Sequence, residues 1–140
     1  MHRLIFDQGY ALPPEQVFEY FAEHENLAAV FGAKITRLKN GTDGNRNGVG
    51  SVRQLKIGPA APFEETVTEF VPNELIRYEI TRGSPLKGHH GEMRFTQAGT
   101  GTHLHYEIAF GSKIPGVGAI VAIGLKKNVA KGLAGAPGAT

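Results

Sequence analysis

The chain has no cysteine and no tryptophan among its 140 residues. Without cysteine it forms no disulfide, offers no thiol nucleophile and holds no cysteine-ligated zinc or iron–sulfur cluster. Charged residues are also scarce, at 20%, and 15 Lys and Arg against 13 Asp and Glu leave a net charge of only +2. This composition excludes a disordered chain and gives no sign of a protein dedicated to binding polyanions.

Several functional motifs are missing as well. The longest apolar run, Ile114 to Leu125, falls short of the ~20 residues that span a bilayer, so we expect no stable membrane insertion. No signal-peptide pattern is present at the amino end, and we predict a cytoplasmic protein. The glycine-rich residues 41–50 lack the phosphate-loop pattern, and no serine has a nucleophile-elbow setting. Aromatic residues are not interleaved with basic ones, so we expect no nucleic-acid partner.

The few charges are distributed unevenly along the chain. Residues 1–30 hold five acids and one base, whereas residues 111–140 hold four lysines and no acid. Either the two ends attract each other, or the last helix faces an anionic surface. We favour the first interpretation, because it requires no partner.

Glycine and proline are abundant, with 19 and 8 residues, and they separate short apolar segments. Alternation predicts strands and helical spacing predicts helices in these segments. The predicted strands are residues 2–8, 33–39, 51–57, 63–70, 75–82, 87–97 and 102–110, and the predicted helices are residues 15–23, 27–31 and 117–133. Gly83 and Pro85 end the fifth strand. We predict a single domain over residues 1–133, followed by a flexible tail over residues 134–140.

The order of these elements is one strand, two helices, six strands and a long helix. A sheet with an apolar face must cover that face, and the last helix is the only element long enough to do so. The sequence therefore predicts an α+β fold in which the sheet curls around the carboxy-terminal helix.

Strand alternation identifies the side chains on the inner face of this sheet. The predicted inner residues are Arg53, Leu55, Ile57, Ile76, Tyr78, Ile80, His89, Gly91, Met93, Phe95, Leu104, Tyr106, Ile108 and Phe110. The fourth strand is ambiguous. A three-residue loop at residues 58–60 places Glu65 inside, opposite Arg53, whereas a four-residue loop turns Glu65 to solvent. We favour the inner Glu65, because a buried Arg53 needs a partner.

An apolar inner face with a few polar groups is typical of a small-molecule site. A filled core with a satisfied ion pair fits the same pattern. Gly91, Gly118 and Gly124 favour a cavity, because they remove volume where the sheet and the last helix meet. Inward charge also costs several kcal/mol unless it is hydrated or paired.

Four histidines invite interpretation as a metal site. The hairpin between strands six and seven places Arg94 opposite His105, which leaves His90 roughly 13 Å away. His89 points to the opposite face. We therefore predict no metal site and no cofactor, and we expect His103 and His105 to lie on a solvated strand face.

Several short strings, in their order and spacing, carry a family resemblance over about residues 3–133. They are residues 12–18 (LPPEQVF), 24–27 (HENL), 48–53 (GVGSVR), 65–67 (ETV), 71–78 (VPNELIRY) and 101–102 (GT). Together they resemble the START-like, birch-pollen-allergen-like helix-grip superfamily (SRPBCC), in its polyketide cyclase/dehydrase and lipid-transport branch.

The resemblance implies a curved seven-stranded antiparallel sheet gripping the carboxy-terminal helix, with two short helices between the first two strands and a hydrophobic cavity. Arg53 and Glu65 match an inner Arg and Glu of small bacterial members. Tyr106 stands where members often carry a tryptophan. Members bind lipids, sterols or polyketides, and a minority are enzymes.

Three functions stay open, as does the choice between monomer and homodimer. In the first, the chain binds a small apolar ligand, a lipid, polyketide-like or aromatic molecule. The candidate ligand-binding residues are Arg53, Leu55, Phe63, Glu65, Val67, Tyr78, His89, Met93, Phe95, Leu104, Tyr106 and Val121. In the second, the chain is a cyclase or dehydrase in which His89 or Glu65 moves a proton and Arg53 stabilises an enolate. In the third, it is a non-catalytic interaction or stress-response protein with a filled core, acting through the face at residues 126–131.

Overall fold

The computed structural model describes residues 1–84 and 86–140, so the predicted break at Pro85 lies outside the described residues. The strands are β1 (His2–Tyr10), β2 (Lys34–Lys39), β3 (Val52–Lys56), β4 (Phe63–Val71), β5 (Leu75–Arg82), β6 (Leu86–Ala98) and β7 (Gly101–Ser112). The helices are α1 (Pro14–Ala22), α2 (Leu27–Phe31) and α3 (Val117–Ala134), and a short 3-10 helix (His24–Asn26) precedes α2. Each predicted element is present, with ends that shift by no more than two residues.

The seven strands form one antiparallel sheet in the order β1-β7-β6-β5-β4-β3-β2. The first two strands of the chain therefore occupy the two edges, and α1 and α2 connect them. The long helix α3 packs against β1, β7 and α2. The predicted α+β helix-grip architecture is confirmed.

Helix α1 fills one end of the concave sheet face. Pro14 stands at its first turn, where the missing backbone N–H costs nothing. The aromatic rings of Phe18 and Phe21 are buried and pack against Phe95 of β6, at centroid distances of 5.2 and 6.1 Å. Aromatic side chains therefore fill this end of the interior.

Helix α3 turns a row of residues spaced four apart toward the sheet. Val129 and Leu133 are fully buried, and Val121 and Leu125 are partly buried. Ile120 is also apolar, but it is 72% exposed. One residue is 100° around the helix from the next, so a row that buries Val121 turns Ile120 outward. Among the described residues no helix, α3 included, has both the length and the apolar character to cross a membrane.

The last residues of the chain lie along β1. Ala139 forms a bridge with Tyr10, and the Thr140 N–H donates to the carbonyl of Gly9 at 3.1 Å. The Tyr10 hydroxyl donates to the carbonyl of Leu133 at 2.9 Å, which ties the end of α3 to the same strand. These contacts give residues 134–140 a defined position, whereas their flexibility stays a prediction.

Candidate functional site

An arginine and a glutamate face each other inside the sheet. Arg53 of β3 pairs in register with Glu65 of β4, and both are nearly inaccessible, with 2% and 3% exposure. The Arg53 Nε atom donates to Glu65 Oε1 at 2.8 Å. The predicted pairing and the inward Glu65 are therefore confirmed. The hairpin loop is wider than three residues, since β3 ends at Lys56 and β4 begins at Phe63, but the register is the one predicted.

Arg53 makes only one hydrogen bond within this ion pair. The Arg53 Nη2 atom lies 2.8 Å from the same Glu65 oxygen, but it makes no hydrogen bond there or to any other described residue. The guanidinium carbon stands 4.8 Å from the ring centroid of Tyr78. Burial raises the pKa of the Glu65 carboxyl, and the Arg53 charge works against that rise. Replacing a buried ion pair by apolar residues is often neutral or stabilising, so stability alone does not explain this pair.

Two tyrosines continue this polar cluster across the sheet. The hydroxyls of Tyr78 and Tyr106 hydrogen-bond to each other, and burial raises the pKa of both, so both are neutral at physiological pH. The Tyr78 ring lies over Gly91, where any Cβ would collide with it. Gly91 was expected to leave room for a cavity. The structure corrects this, because the ring of Tyr78 fills the space.

His89 enters the interior at an irregularity in β6. The pairing of β6 with β7 shifts between Lys87 and His90, and Gly88 adopts a φ of +57°, which a residue without a Cβ tolerates. The His89 ring stacks near Phe110 at 6.0 Å, and its Nδ1 atom is buried without a hydrogen-bond partner among the described residues. Burial lowers the pKa of His89 to about 4, so the imidazole is neutral at pH 7.

A second buried histidine was not among the predicted site residues. His24 shares a hydrogen bond with Ser51, from Nε2 to Oγ at 3.0 Å, and neither residue is exposed. Burial, and next the charge of Arg53, lower the pKa of His24 to about 3. The residue lies on the short 3-10 helix, where no alternating or helical pattern identifies an inward side chain. Only the string at residues 24–27 pointed to this region.

An apolar cavity of about 330 Å³ opens between the sheet and the first half of α3. Its walls come from α2, the β3–β4 loop, β4, β5, β6 and α3. They are Phe31, Ile57, Ala60, Ala61, Phe63, Ile80, Gly83, Ser84, Leu86, His89, Val121, Gly124, Leu125 and Asn128. A Cβ on Gly124 would meet nothing within 4 Å, as expected for a glycine that leaves space, whereas a Cβ on Gly118 would meet the His2 ring.

The structure brings only part of the predicted ligand-binding set to this cavity. Phe63, His89 and Val121 line it. The remaining predicted residues are buried but do not line it; these are Arg53, Leu55, Glu65, Val67, Tyr78, Met93, Phe95, Leu104 and Tyr106. The aromatic rings of α1 occupy the space beside Phe95, so the open volume lies at the other end of α3. The polar cluster reaches the cavity through Tyr78, whose ring centroid is 6.2 Å from that of His89.

A second cleft, of about 400 Å³, lies on the outside between α2 and the end of α3. Tyr20, Gly32, Lys131 and Gly132 are among its walls. It is larger, but it contains no buried ionisable side chain that would orient a ligand. The cavity beside His89 is therefore the stronger candidate site.

Known proteins share the family and the fold of this chain. The profile of the family described as polyketide cyclase / dehydrase and lipid transport matches residues 9–136. A START superfamily protein from Mycobacterium smegmatis superposes with a TM-score of 0.78 and 19% identity, covering 96% of each chain. The Zhui aromatase/cyclase from Streptomyces sp. R1128 superposes with a TM-score of 0.72 and 18% identity, over 94% of this chain and 91% of that one.

The structure of Ara h 8.0201 is similar as well, with a TM-score of 0.65 and 15% identity over 96% of this chain and 95% of that one. No curated sequence matches the chain significantly. At these identities the solved structures establish the fold, and the family profile covers polyketide cyclase or dehydrase chemistry and lipid transport.

Proposed function

The chain belongs to the polyketide cyclase / dehydrase and lipid transport family, and we propose that it binds a small, mostly apolar ligand in the cavity beside His89. The observation that carries this proposal is the Nδ1 atom of His89, which is buried at the wall of a mostly apolar cavity and has no hydrogen-bond partner within residues 1–84 and 86–140. Buried polar groups nearly always have a partner, and a polar group of the ligand supplies one here.

The size and lining of the cavity suit such a ligand. At ~30 Å³ per water, a volume of 330 Å³ corresponds to roughly eleven waters, which is the low end of the range for ligand pockets. Ile57, Phe63, Ile80 and Leu125 provide apolar walls. The ligand is therefore compact, of the size of one or two fused rings or a short acyl chain, with its polar end toward His89.

The Arg53–Glu65 pair has a positioning role in this proposal. The guanidinium stands over one face of Tyr78, and Tyr78 packs beside His89. Neither charged residue lines the cavity, so the pair acts on the ligand through Tyr78 and His89. The hydrogen-bonded hydroxyls of Tyr78 and Tyr106 keep that ring in place.

A filling substitution tests whether the cavity is the site. Val121→Phe places a larger side chain on the cavity wall, whereas Ile123→Phe makes a similar change on the same helix at a position that is 74% exposed. The probe is N-phenyl-1-naphthylamine, an uncharged fluorophore. We expect Val121→Phe to weaken probe binding at least tenfold and Ile123→Phe to leave it unchanged. Equal affinities in the two variants would place the probe elsewhere and overturn the proposal.

A pair of probes tests the polar end. 1-Anilinonaphthalene-8-sulfonate has the skeleton of the uncharged probe plus a sulfonate, which accepts hydrogen bonds from an imidazole N–H. We expect His89→Leu to weaken binding of the sulfonate probe several-fold more than binding of the uncharged one. If both probes lose affinity equally, His89 shapes the cavity but does not orient a polar group. Native mass spectrometry of the purified protein then identifies a co-purified ligand by its mass.

Catalysis of the cyclase or dehydrase type is the second candidate. The buried Glu65, with its raised pKa, beside Arg53 is the observation that favours it, since a carboxyl in apolar surroundings can move a proton. Neither residue lines the cavity, so a substrate would have to reach beyond the cavity walls to contact them. Glu65→Gln and Arg53→Ala abolish turnover of a poly-β-keto substrate if they act in catalysis, and unchanged turnover removes them from the mechanism.

A further inference from the structure

Three side chains with metal-binding chemistry meet on the outer face of the sheet, away from the cavity. Asp7 of β1 pairs in register with His105 of β7, and His103 lies two residues earlier on the same face of β7. The Asp7 Oδ1 atom lies 2.8 Å from His103 Nε2 and 2.8 Å from His105 Nδ1. One ligand atom from each residue lies within 4.8 Å of the other two.

The spacing of the histidines does not reveal Asp7 as a member of this cluster. The partner strand of β7 on this side is β1, which is the first strand of the chain, so Asp7 is remote from His103 in sequence. The antiparallel pairing of the first and last strands brings the carboxylate between the two imidazoles.

These residue types suit a divalent transition-metal ion. Imidazole nitrogens and a carboxylate oxygen bind Zn²⁺ at about 2.0–2.2 Å, which places tetrahedral ligand atoms roughly 3.3 Å apart. The two separations of 2.8 Å are slightly shorter than this, so small side-chain rotations open the space for an ion. The three residues are 37–51% exposed at their side chains, so water has access to the remaining coordination positions.

The surroundings of His105 favour metal binding as well. Its second ring nitrogen, Nε2, lies 3.7 Å from the Glu107 carboxylate on the same face of β7. In the ion-free chain the Nδ1–H of His105 donates to Asp7 Oδ1, so an ion bound at Nδ1 takes the place of that proton, while Glu107 stands near the Nε2–H. The cation opposite His105, Arg94 of β6, is engaged by both carboxylate oxygens of Glu92.

We propose that Asp7, His103 and His105 form a binding site for a divalent transition-metal ion of the Zn²⁺ class, which links the edge strand β1 to β7. An ion bound only by the folded chain stabilises it by mass action. The site is separate from the proposed ligand cavity, so the two proposals stand or fall independently.

Isothermal titration of tag-free, chelator-treated protein with ZnCl₂ tests this proposal. We expect saturable binding of one ion per chain and a rise in Tm with ZnCl₂ but not with MgCl₂, because Mg²⁺ prefers oxygen ligands. His103→Gln, His105→Gln and Asp7→Asn should each weaken Zn²⁺ binding at least tenfold. Glu107→Gln should weaken it less, since this residue acts through His105.

His90→Gln is the matched control, because its ring contacts the carbonyl of Gly88 on a different part of the sheet. We expect it to leave the Zn²⁺ affinity unchanged. Circular dichroism of each variant without metal checks that the fold is retained. Nuclear magnetic resonance of the histidine ring nitrogens should show Zn²⁺-dependent shifts of His103 and His105 only. No saturable binding, or equal losses in the control and the site variants, would overturn the proposal.

Discussion

Two arginines, Arg37 and Arg53, lie directly opposite each other on β2 and β3 but differ in burial and in the number of their hydrogen-bond acceptors. Arg53 is buried and shares one oxygen of Glu65. Arg37 is 14% exposed at its side chain and donates hydrogen bonds from all three of its nitrogens. Its acceptors are Glu23, Glu25, Asn47 and the carbonyl of Arg46.

The difference separates a structural cluster from a candidate functional one. Around Arg37 each donor nitrogen has an acceptor, so this network fixes the β2–β3 loop against the segment before α2. Around Arg53 two nitrogens share a single oxygen of Glu65, and both residues are almost fully buried. Burying two charges costs several kcal/mol of desolvation, so this pair is a candidate for a role beyond stability.

Removing Glu65 should have the largest effect on stability. Glu65→Ala leaves the Arg53 charge buried and unpaired, so we expect the free energy of unfolding to fall by about 3–5 kcal/mol in urea denaturation. The double variant Arg53→Met with Glu65→Leu removes both charges and should recover most of this loss. A loss below about 1 kcal/mol for Glu65→Ala would mean that water reaches the guanidinium.

Acidification should lower the stability of the fold through His24. The folded pKa of His24 is about 3, against an ordinary value near 6.5. As the pH falls from 7 to 4, the unfolded chain takes up a proton there and the folded chain does not, so stability falls. At about 1.4 kcal/mol per pH unit this amounts to roughly 3 kcal/mol.

Other groups contribute over the same pH range. His89, with a pKa of about 4, destabilises in the same direction, and the raised pKa of Glu65 acts in the opposite one. The contribution of His24 is isolated by urea denaturation of His24→Gln at pH 7 and pH 4. We expect a smaller loss on acidification in this variant than in the parent. Identical losses would exclude His24 as the source.

The exposed network should be less sensitive than the buried pair. Arg37→Met removes several partly exposed contacts, and we expect a loss of about 1–2 kcal/mol. Arg46→Ala, whose side chain is 56% exposed, should cost less than about 1 kcal/mol. A loss for Arg37→Met as large as that for Glu65→Ala would contradict the distinction between the two regions.

Added salt should have the smallest effect on stability, and it should act on the exposed network around Arg37 more than on the buried Arg53–Glu65 pair. At about 1 M NaCl the Debye length falls to ~3 Å, so the exposed network is screened and the buried pair much less so. We expect the cost of Arg37→Met in urea to shrink by up to about 1 kcal/mol between low and high salt. The cost of Glu65→Ala should stay the same. If both costs shrink equally, Arg53 is more hydrated than its burial implies.

Sequence reasoning was most successful where strand alternation controls the outcome. The positions of Arg53, Glu65, Tyr78 and His89 on the inner face follow from a period of two and from one hairpin register, both of which are local. The same reasoning places Arg94 opposite His105, as observed.

It was least successful where separate elements meet. The location of the cavity depends on how far the rings of Phe18 and Phe21 reach into the sheet, and no local pattern encodes this distance. The exposure of Ile120 depends on the rotation of α3, and the neighbourhood of Asp7 depends on the pairing of the first strand with the last. His24 was missed for a similar reason, since a single turn of 3-10 helix has no period long enough to assign a face.

The two ends of the sheet have a consequence for how the protein avoids aggregation. An open edge strand is a template on which another chain can add. At the carboxy end of β1 the backbone groups of Gly9 and of Ala11, the residue after the strand, already bond to Thr140 and Gly138. Along β2 the sequence KITRLK sets a cation at every second or third position, and charge of one sign opposes the approach of a like strand. Strand addition is thus disfavoured along β2 and at the carboxy end of β1.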